Sequence, residues 1–336
     1  MEIVFVHLNT PIPIYLKHNL MRMRNMFPNE KIVLISNTTQ KNILGVSQHI
    51  LPEPVQAEQL KRILSHPKEF RNNFWHSSVA RFAYLLSYQK KVKQRILHIE
   101  SDVLIARDFP LLQFKRLPVS KIGFPILMKK RGVASIFYSG SAATLDKFVS
   151  YSISEALKDS ATTDMLILRN FYNSYPHYVK VLPAGPYEKA LYRKEILKDI
   201  FPEINKGLLE FNGIFDGCDL GFYFFGTNPW NKHGISVLQE EIADSYTKMA
   251  KFELVFNSSR DFFDLLTNKH TIPIYNMHIT SKRERLFRFG NLERKSRRFI
   301  NNNGMRTEVI LRVYITMAFK KLYRFLFKVI KVNKDN

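Results

Sequence analysis

The run Arg95-Ile96-Leu97-His98-Ile99-Glu100-Ser101-Asp102-Val103 reads as a short apolar strand whose end is acidic. Alternate side chains of an extended chain share a face, so Glu100 and Asp102 are predicted on the same side of that strand end. In open α/β sheets, ligands bind outside the carboxyl ends of the strands. Two carboxylates there offer hard oxygen ligands for a divalent cation such as Mg2+ or Mn2+, ions that a substrate's phosphates also bind. The competing reading is an ordinary solvated strand end, because acids two residues apart are common.

Upstream, the pattern alternates. Glu2 to His7 is a nearly continuous apolar run, Tyr15 to Phe27 has helical spacing, and Lys31 to Ser36 is a second apolar run that stops before Asn37-Thr38-Thr39. Strands about 30 residues apart fit a right-handed βαβ unit. Phe74 to Lys91 is predicted as a longer helix with Val79, Phe82, Ala83 and Leu86 on one side, leading straight into the acidic strand as the third of the series. This order favours an open parallel sheet covered on both faces. Downstream, Ser135 to Leu145 reads as a strand through Ser139-Gly140-Ser141-Ala142-Ala143. Asp146 to Leu157 and Thr163 to Tyr172 read as helices, Tyr178 to Leu182 as a strand, and Gly213 to Asn231 as a long loop rich in Gly, Asp and aromatics. Loops of that kind are more often functional than idle.

The 336 residues are 45% hydrophobic and 24% charged, which excludes disordered, collagen-like and disulfide-framework classes. Lysine and arginine number 51 against 29 acids, a net +22, so the surface attracts polyanions. Residues 283–336 carry 15 of those cations against 4 acids, half of the excess in the last sixth of the chain. In that tail Leu311, Ile315, Ala318, Leu322, Phe325, Leu326 and Val329 fall on one helical face and Lys320, Arg324, Lys328 and Lys331 opposite. Cys218 has no cysteine partner, which fits a reducing compartment. The start, Met1-Glu2-Ile3-Val4-Phe5-Val6, lacks the basic flank of a signal peptide, and no apolar stretch reaches the roughly 18 residues of a membrane span.

At Glu100-Ser101-Asp102, with the preceding helix bearing Trp75, Ser78 and Arg81, the chain resembles the nucleotide-sugar-dependent glycosyltransferases of the GT-A fold. It is most similar to the DXD-containing bacterial capsule and lipopolysaccharide type. The resemblance implies a Rossmann-type, mostly parallel sheet flanked by helices, and a metal site in which Glu100 stands where the family has its first Asp. The longer arm makes Asp102 the firmer metal ligand, with Glu100 and Ser101 toward the nucleotide diphosphate. Val6-His7-Leu8-Asn9-Thr10-Pro11 resembles the family's first loop, which implies base and ribose contacts from Asn9, Thr10 and Asn37; the alternative for each is a polar loop cap. Arg81 is placed like an arginine that pairs with the donor's phosphate or ribose, although an arginine on a helix is more often solvated.

Ile274-Tyr275-Asn276-Met277-His278-Ile279-Thr280-Ser281-Lys282 looks like the family's closing strand, which implies His278 as a metal ligand and Lys282 at the diphosphate. Phe215-Asp216-Gly217-Cys218-Asp219-Leu220-Gly221 and Gly226 to Asn231 resemble the segment beside the sugar and acceptor. In the acceptor half, Asp216 and Asp164 are the expected catalytic-site carboxylates for sugar hydroxyls, with a turn at Asp216-Gly217 and a helix N-cap at Asp164 as the alternatives.

The expected activity is metal-dependent transfer of a sugar, from a UDP-sugar by preference among nucleoside-diphosphate sugars, to a hydroxyl of a cell-envelope glycan or glycolipid. Departing diphosphate charge would be met by the cation at Asp102 and by Lys282. Inverting and retaining outcomes both remain open. Residues 1–285 are expected to form the catalytic domain, with a nucleotide half to about 110 and an acceptor half beyond it, and residues 286–336 a basic helical tail. Such a tail either lies on an anionic membrane surface, placing a cytoplasmic enzyme at the inner face of the membrane, or packs on its own core. The competing classes are a nucleic-acid-binding protein, suggested by Lys282-Arg283-Glu284-Arg285 and Arg294-Lys295-Ser296-Arg297-Arg298, and a non-catalytic peripheral membrane protein. No helix-turn-helix, zinc-finger, RNP or KH pattern occurs, so no specific nucleic acid is expected.

Overall fold

Apolar alternation in the first hundred residues becomes a sheet with two covered faces. In the computed structural model the described residues are 1–66, 74–128, 131–184, 201–218, 220–221, 225, 253–266, 271–280, 282, 284–288 and 292. Residues 289–291 and 293–336, which hold most of the basic tail and the cluster from Arg294 to Arg298, lie outside them, as do the segment Gly226 to Asn231, Asp219 and Ser281.

Strands β1 (Glu2–His7), β2 (Ile32–Ser36), β3 (Ser47–Ile50), β4 (Ile96–Ile99), β6 (Ile122–Met128), β7 (Arg131–Gly132), β8 (Ile136–Ser139) and β9 (Val179–Leu182) form one eight-stranded sheet. The order is β3-β2-β1-β4-β8-β6-β7, with β9 also paired to β6. From β3 to β4 every pairing is parallel, as is β6 with β9, whereas β8 runs antiparallel to both β4 and β6. The sheet is therefore mostly parallel, as the sequence implies, with an antiparallel insertion beyond β4. Ile3, Phe5, Leu34 and Leu97 point to one layer, built on α1 (Ile14–Met26) and α4 (Leu111–Arg116). Val4, Val33, Ile35 and Ile96 point to the other, built on α2 (Val55–Ile63), α3 (Phe74–Val92), α5 (Ala142–Lys158) and α6 (Asp164–Ser174). A third cluster joins the antiparallel β10 (Glu253–Asn257), β11 (Phe262–Leu266) and β12 (Thr271–Pro273) to Leu104, Met277 and Ile279.

Several expectations change. The strand after α3 is the fourth rather than the third, because β3 and α2 intervene. Strand β8 ends at Ser139 rather than running to Leu145: Ser141 caps α5, its hydroxyl accepting from the Thr144 amide. Thr163, rather than Asp164, caps α6, accepting from the Leu166 amide at 3.4 Å. Most relevant to the site, β4 stops at Ile99, and Glu100-Ser101-Asp102 is a turn closed by the Val103 amide donating to the Glu100 carbonyl at 3.1 Å. A second short strand, β5 (Val103–Ile105), follows it. The two carboxylates converge through this turn, not through strand alternation.

Candidate functional site

The turn is pinned from below and from the side. Asn19, fully buried on α1, donates both amide hydrogens, to the carbonyls of Ser101 at 3.1 Å and Val103 at 2.9 Å. Strand β13 (Asn276–His278) lies antiparallel to β5 with His278 opposite Val103, and the Ile279 amide donates to the Asp102 carbonyl at 2.7 Å. A backbone ribbon thus delivers the imidazole to the carboxylates.

His278 Nε2 lies 3.1 Å from Asp102 Oδ1 and 3.7 Å from Glu100 Oε2, and its Nδ1 lies 3.0 Å from the carbonyl of Gly217. Lys282 closes the group, with Nζ 3.3 Å from Asp102 Oδ2 and 5.5 Å from the centre of the Tyr15 ring. Burial opposes charge on both partners, yet Lys282 and His278 hold the Asp102 carboxyl well below the usual carboxylate range. Against the same opposition, Asp102 and then Glu100 push the His278 imidazole up to about 10. Asp102 is therefore the shared partner of the His278 imidazole and the Lys282 side chain.

These groups fit a divalent cation. Glu100, Asp102 and His278 each present one ligand atom within 4.8 Å of the others. Glu100 Oε2 is buried without a hydrogen-bond partner, the arrangement of an oxygen held ready for a ligand. Two carboxylates and an imidazole suit Mn2+ or Mg2+ when phosphate oxygens fill the remaining positions.

Arg81, the other cation of the site, is held between two acids. One terminal nitrogen of its guanidinium donates to Glu100 Oε1 and the other to Asp164 Oδ2. This fork ties down one Glu100 oxygen and leaves the other facing His278. Desolvation raises the Asp164 carboxyl, with Arg81 pulling the other way. Asp164 joins the site through Arg81.

Asp216 is almost fully buried. Its Oδ1 accepts from the Leu220 amide at 3.0 Å, and its Oδ2 from the amides of Gly221 and His278, each at 2.9 Å. Burial pushes its carboxyl up, and those backbone donors oppose the push.

The first loop sits on the same side of the sheet but forms its own network. Asn9, with φ 68°, donates from its backbone to Asn37 Oδ1, and the Asn37 amide donates back to Asn9 Oδ1, both at 2.8 Å. Asn9 Nδ2 also donates to Ser77 Oγ at 3.0 Å, and Thr10 Oγ1 bonds His7 Nε2 at 3.0 Å. Ser101 Oγ meets the Tyr15 hydroxyl at 3.3 Å. The structure thus gathers Glu100, Asp102, His278 and Lys282 into one cluster, ties Arg81, Asp164 and Asp216 to its ligands, and leaves Asn9, Thr10 and Asn37 in a separate rim. Asn19, Tyr15, Ser77 and Asn276 belong to the surroundings without having been anticipated. A polar residue at a core-facing position of α1 was the one local signal for Asn19.

No protein-family model matches the chain, and no curated protein matches it in sequence. Solved structures are similar over part of it. The galactosyltransferase LgtC, in complex with donor and acceptor sugar analogs, is 14% identical with a TM-score of 0.38, over 55% of this chain and 74% of that one. Mouse xyloside xylosyltransferase 1, in its apo form, is 9% identical with a TM-score of 0.36, over 60% of this chain and 92% of that one. A glycosyltransferase involved in the glycosylation of the major capsid of PBCV-1 is 11% identical with a TM-score of 0.31, over 54% and 82%.

Proposed function

We propose that this chain is a metal-dependent glycosyltransferase that moves a sugar from a nucleoside-diphosphate sugar, a UDP-sugar by preference, to a hydroxyl acceptor. The observation that carries this reading is the convergence of Glu100, Asp102 and His278, with Lys282 behind Asp102, beyond the carboxyl end of a parallel strand. A divalent cation held by these three would supply Lewis-acid stabilisation to a diphosphate leaving group. Lys282 adds a compact positive charge to the same oxygens once it exchanges Asp102 for phosphate. Arg81 keeps Glu100 in place through Oε1, and Tyr15 presents its ring face to Lys282 and its hydroxyl to Ser101. The Asn9, Thr10 and Asn37 rim, at the carboxyl ends of β1 and β2, is assigned to the base and ribose.

The acceptor is assigned as a cell-envelope glycan or glycolipid. The sequence pattern of residues 311–331, apolar on one face and basic on the other, supports a tail that holds the enzyme at the anionic inner face of the membrane. Among the described residues, no helix is long and apolar enough to cross a membrane.

The test is thermal unfolding with UDP, GDP or CMP, each with and without Mn2+, on wild type and Asp102→Ala. The expected result is stabilisation by one nucleotide that needs Mn2+ and disappears in the variant. A well-folded wild type that no nucleotide stabilises would refute the proposal.

A further inference from the structure

Of the three ligands, His278 depends most on a segment outside its own strand. Its amide is fixed by Asp216 Oδ2, its Nδ1 by the carbonyl of Gly217, and its carbonyl lies against Gly221, where a Cβ would overlap it. Asp216 organises all of this. Its carboxylate receives the amides of Leu220 and Gly221, which turns the chain back onto β13. Its carbonyl receives Ser135 Oγ at 2.9 Å and Asn276 Nδ2 at 2.8 Å, tying the segment to β13 and to the residue whose carbonyl accepts the Glu100 amide. A carboxylate offers about four lone-pair positions, and three here already hold backbone donors in a buried setting. That is the coordination of a scaffold and leaves little for a sugar hydroxyl.

We infer that Asp216 is the positioning residue for the metal-binding imidazole of His278, acting through the His278 amide and the Gly217 carbonyl rather than on the sugar. The inference rests on the metal-dependent reading above. Hydrogen-bond partners of metal ligands set ligand orientation, and their loss typically weakens metal binding 10–100-fold. An Asp216→Asn side chain keeps its shape but turns an NH2 toward at least one backbone N–H, so the set cannot be satisfied.

The experiment measures Mn2+ binding to the full chain, by electron paramagnetic resonance of the free ion, for wild type, Asp216→Asn and Asp102→Ala, well below each unfolding temperature. Visible absorption of the Co2+-loaded proteins serves as a second readout. The expected result is about 10–100-fold weaker Mn2+ binding in folded Asp216→Asn with a shifted Co2+ band, and binding lost in Asp102→Ala. A merely structural Asp216 would lower the unfolding temperature and leave both readouts unchanged, which overturns the inference. If Asp216→Asn does not fold, Ser135→Ala, which removes one bond to the Asp216 carbonyl and no ligand, is expected to weaken Mn2+ binding severalfold; wild-type affinity there overturns it too. Wild type that binds no Mn2+ refutes the metal-dependent reading itself, whereas binding that is equal in wild type and variants at Asp216 and Ser135 refutes the positioning role alone.

Discussion

Asp102 and His278, 176 residues apart in sequence, meet at 3.1 Å because β13 lies in register beside the strand that follows the acidic turn. Neither side chain reaches the other from its own element alone. The Val103–His278 pairing and the bond from the Ile279 amide to the Asp102 carbonyl do the placing, and the ion pair with Lys282 completes it. Asp102 is thus both the centre of the charge cluster and the residue around which it is built.

Removing that carboxylate has two separable effects. Asp102→Ala removes the carboxylate that His278 and Lys282 share, so the metal-free protein is expected to lose about 3 kcal/mol of stability. On the proposed function, transferase activity is expected to fall by at least about 100-fold, since loss of a ligand exceeds the loss of a partner behind one. Urea unfolding and a donor-hydrolysis assay read the two effects independently. Unchanged activity in a folded variant would remove Asp102 from the site.

The state of His278 predicts a pH dependence. Its folded value is raised to about 10 from 6.5, so it is protonated at neutral pH and must give up that proton to bind a metal. Mn2+ affinity is therefore expected to increase with pH, approaching tenfold per unit, and calorimetry at pH 7 in buffers of different ionisation heats should find about one proton released. For the metal-free protein the sign is opposite. A raised value means the stabilising pair is fully present below 6.5 and is lost as the pH rises toward 10, so metal-free stability should decline across that window. Affinity independent of pH between 6 and 8 would show that the imidazole is not a ligand.

Strands β1, β2 and β4 and helices α1 and α3 were legible because each carries a long apolar period, and Glu100 and Asp102 stood out because they follow the strand after α3, whereas His278 and Lys282 were reached only through the resemblance of Ile274 to Lys282 to a family's closing strand. Strand β3 was not legible: Ser47-Gln48-His49-Ile50 is polar and half-exposed at a sheet edge, so it lacks the pattern of a buried strand. The acidic turn was misread as strand because an extended chain and a tight turn both bring residues two apart near each other. Asn19 was invisible because its partners, Ser101 and Val103, lie 82 and 84 residues away. The Asp-Gly at 216–217 reads in the sequence as a turn, whereas in the structure both residues lie in irregular chain and the carboxylate holds the strand bearing His278.

Arg81 spans two acids in a pocket that water hardly reaches, the three side chains being 9–15% exposed. Burial opposes its charge, and Glu100 and Asp164 together hold it above its ordinary value. Arg81→Met takes the shared counter-ion from two buried carboxylates, leaving Glu100 only the more distant His278, and is expected to cost about 3–5 kcal/mol. Arg81→Lys offers one point charge in place of a fork and should fall between the two. Thr163→Ala, which removes only the helix cap beside Asp164, should cost about 1 kcal/mol. Urea unfolding at pH 7 ranks the three, and equal losses for Arg81→Met and Thr163→Ala would contradict the fork.

His98 predicts how the sheet fails in acid. The imidazole is buried in β4, donating Nδ1–H to the Val4 carbonyl at 3.0 Å, while Nε2 has no hydrogen-bond partner. Burial, followed by repulsion from Arg81, depresses it from 6.5 to about 3. A lowered value in a base means that the folded state binds fewer protons than the unfolded one over that range, so stability is lost as pH falls below 6.5. The slope from this group alone is about 1.4 kcal/mol per pH unit. His98→Asn keeps a donor near the Val4 carbonyl and has no proton to gain, so it should remove that share of the acid sensitivity whatever it costs at pH 7. Urea unfolding at pH 7, 6 and 5 on both proteins gives the two slopes. Parallel slopes would mean that His98 takes up its proton while folded, through an opening of the sheet between β1 and β4.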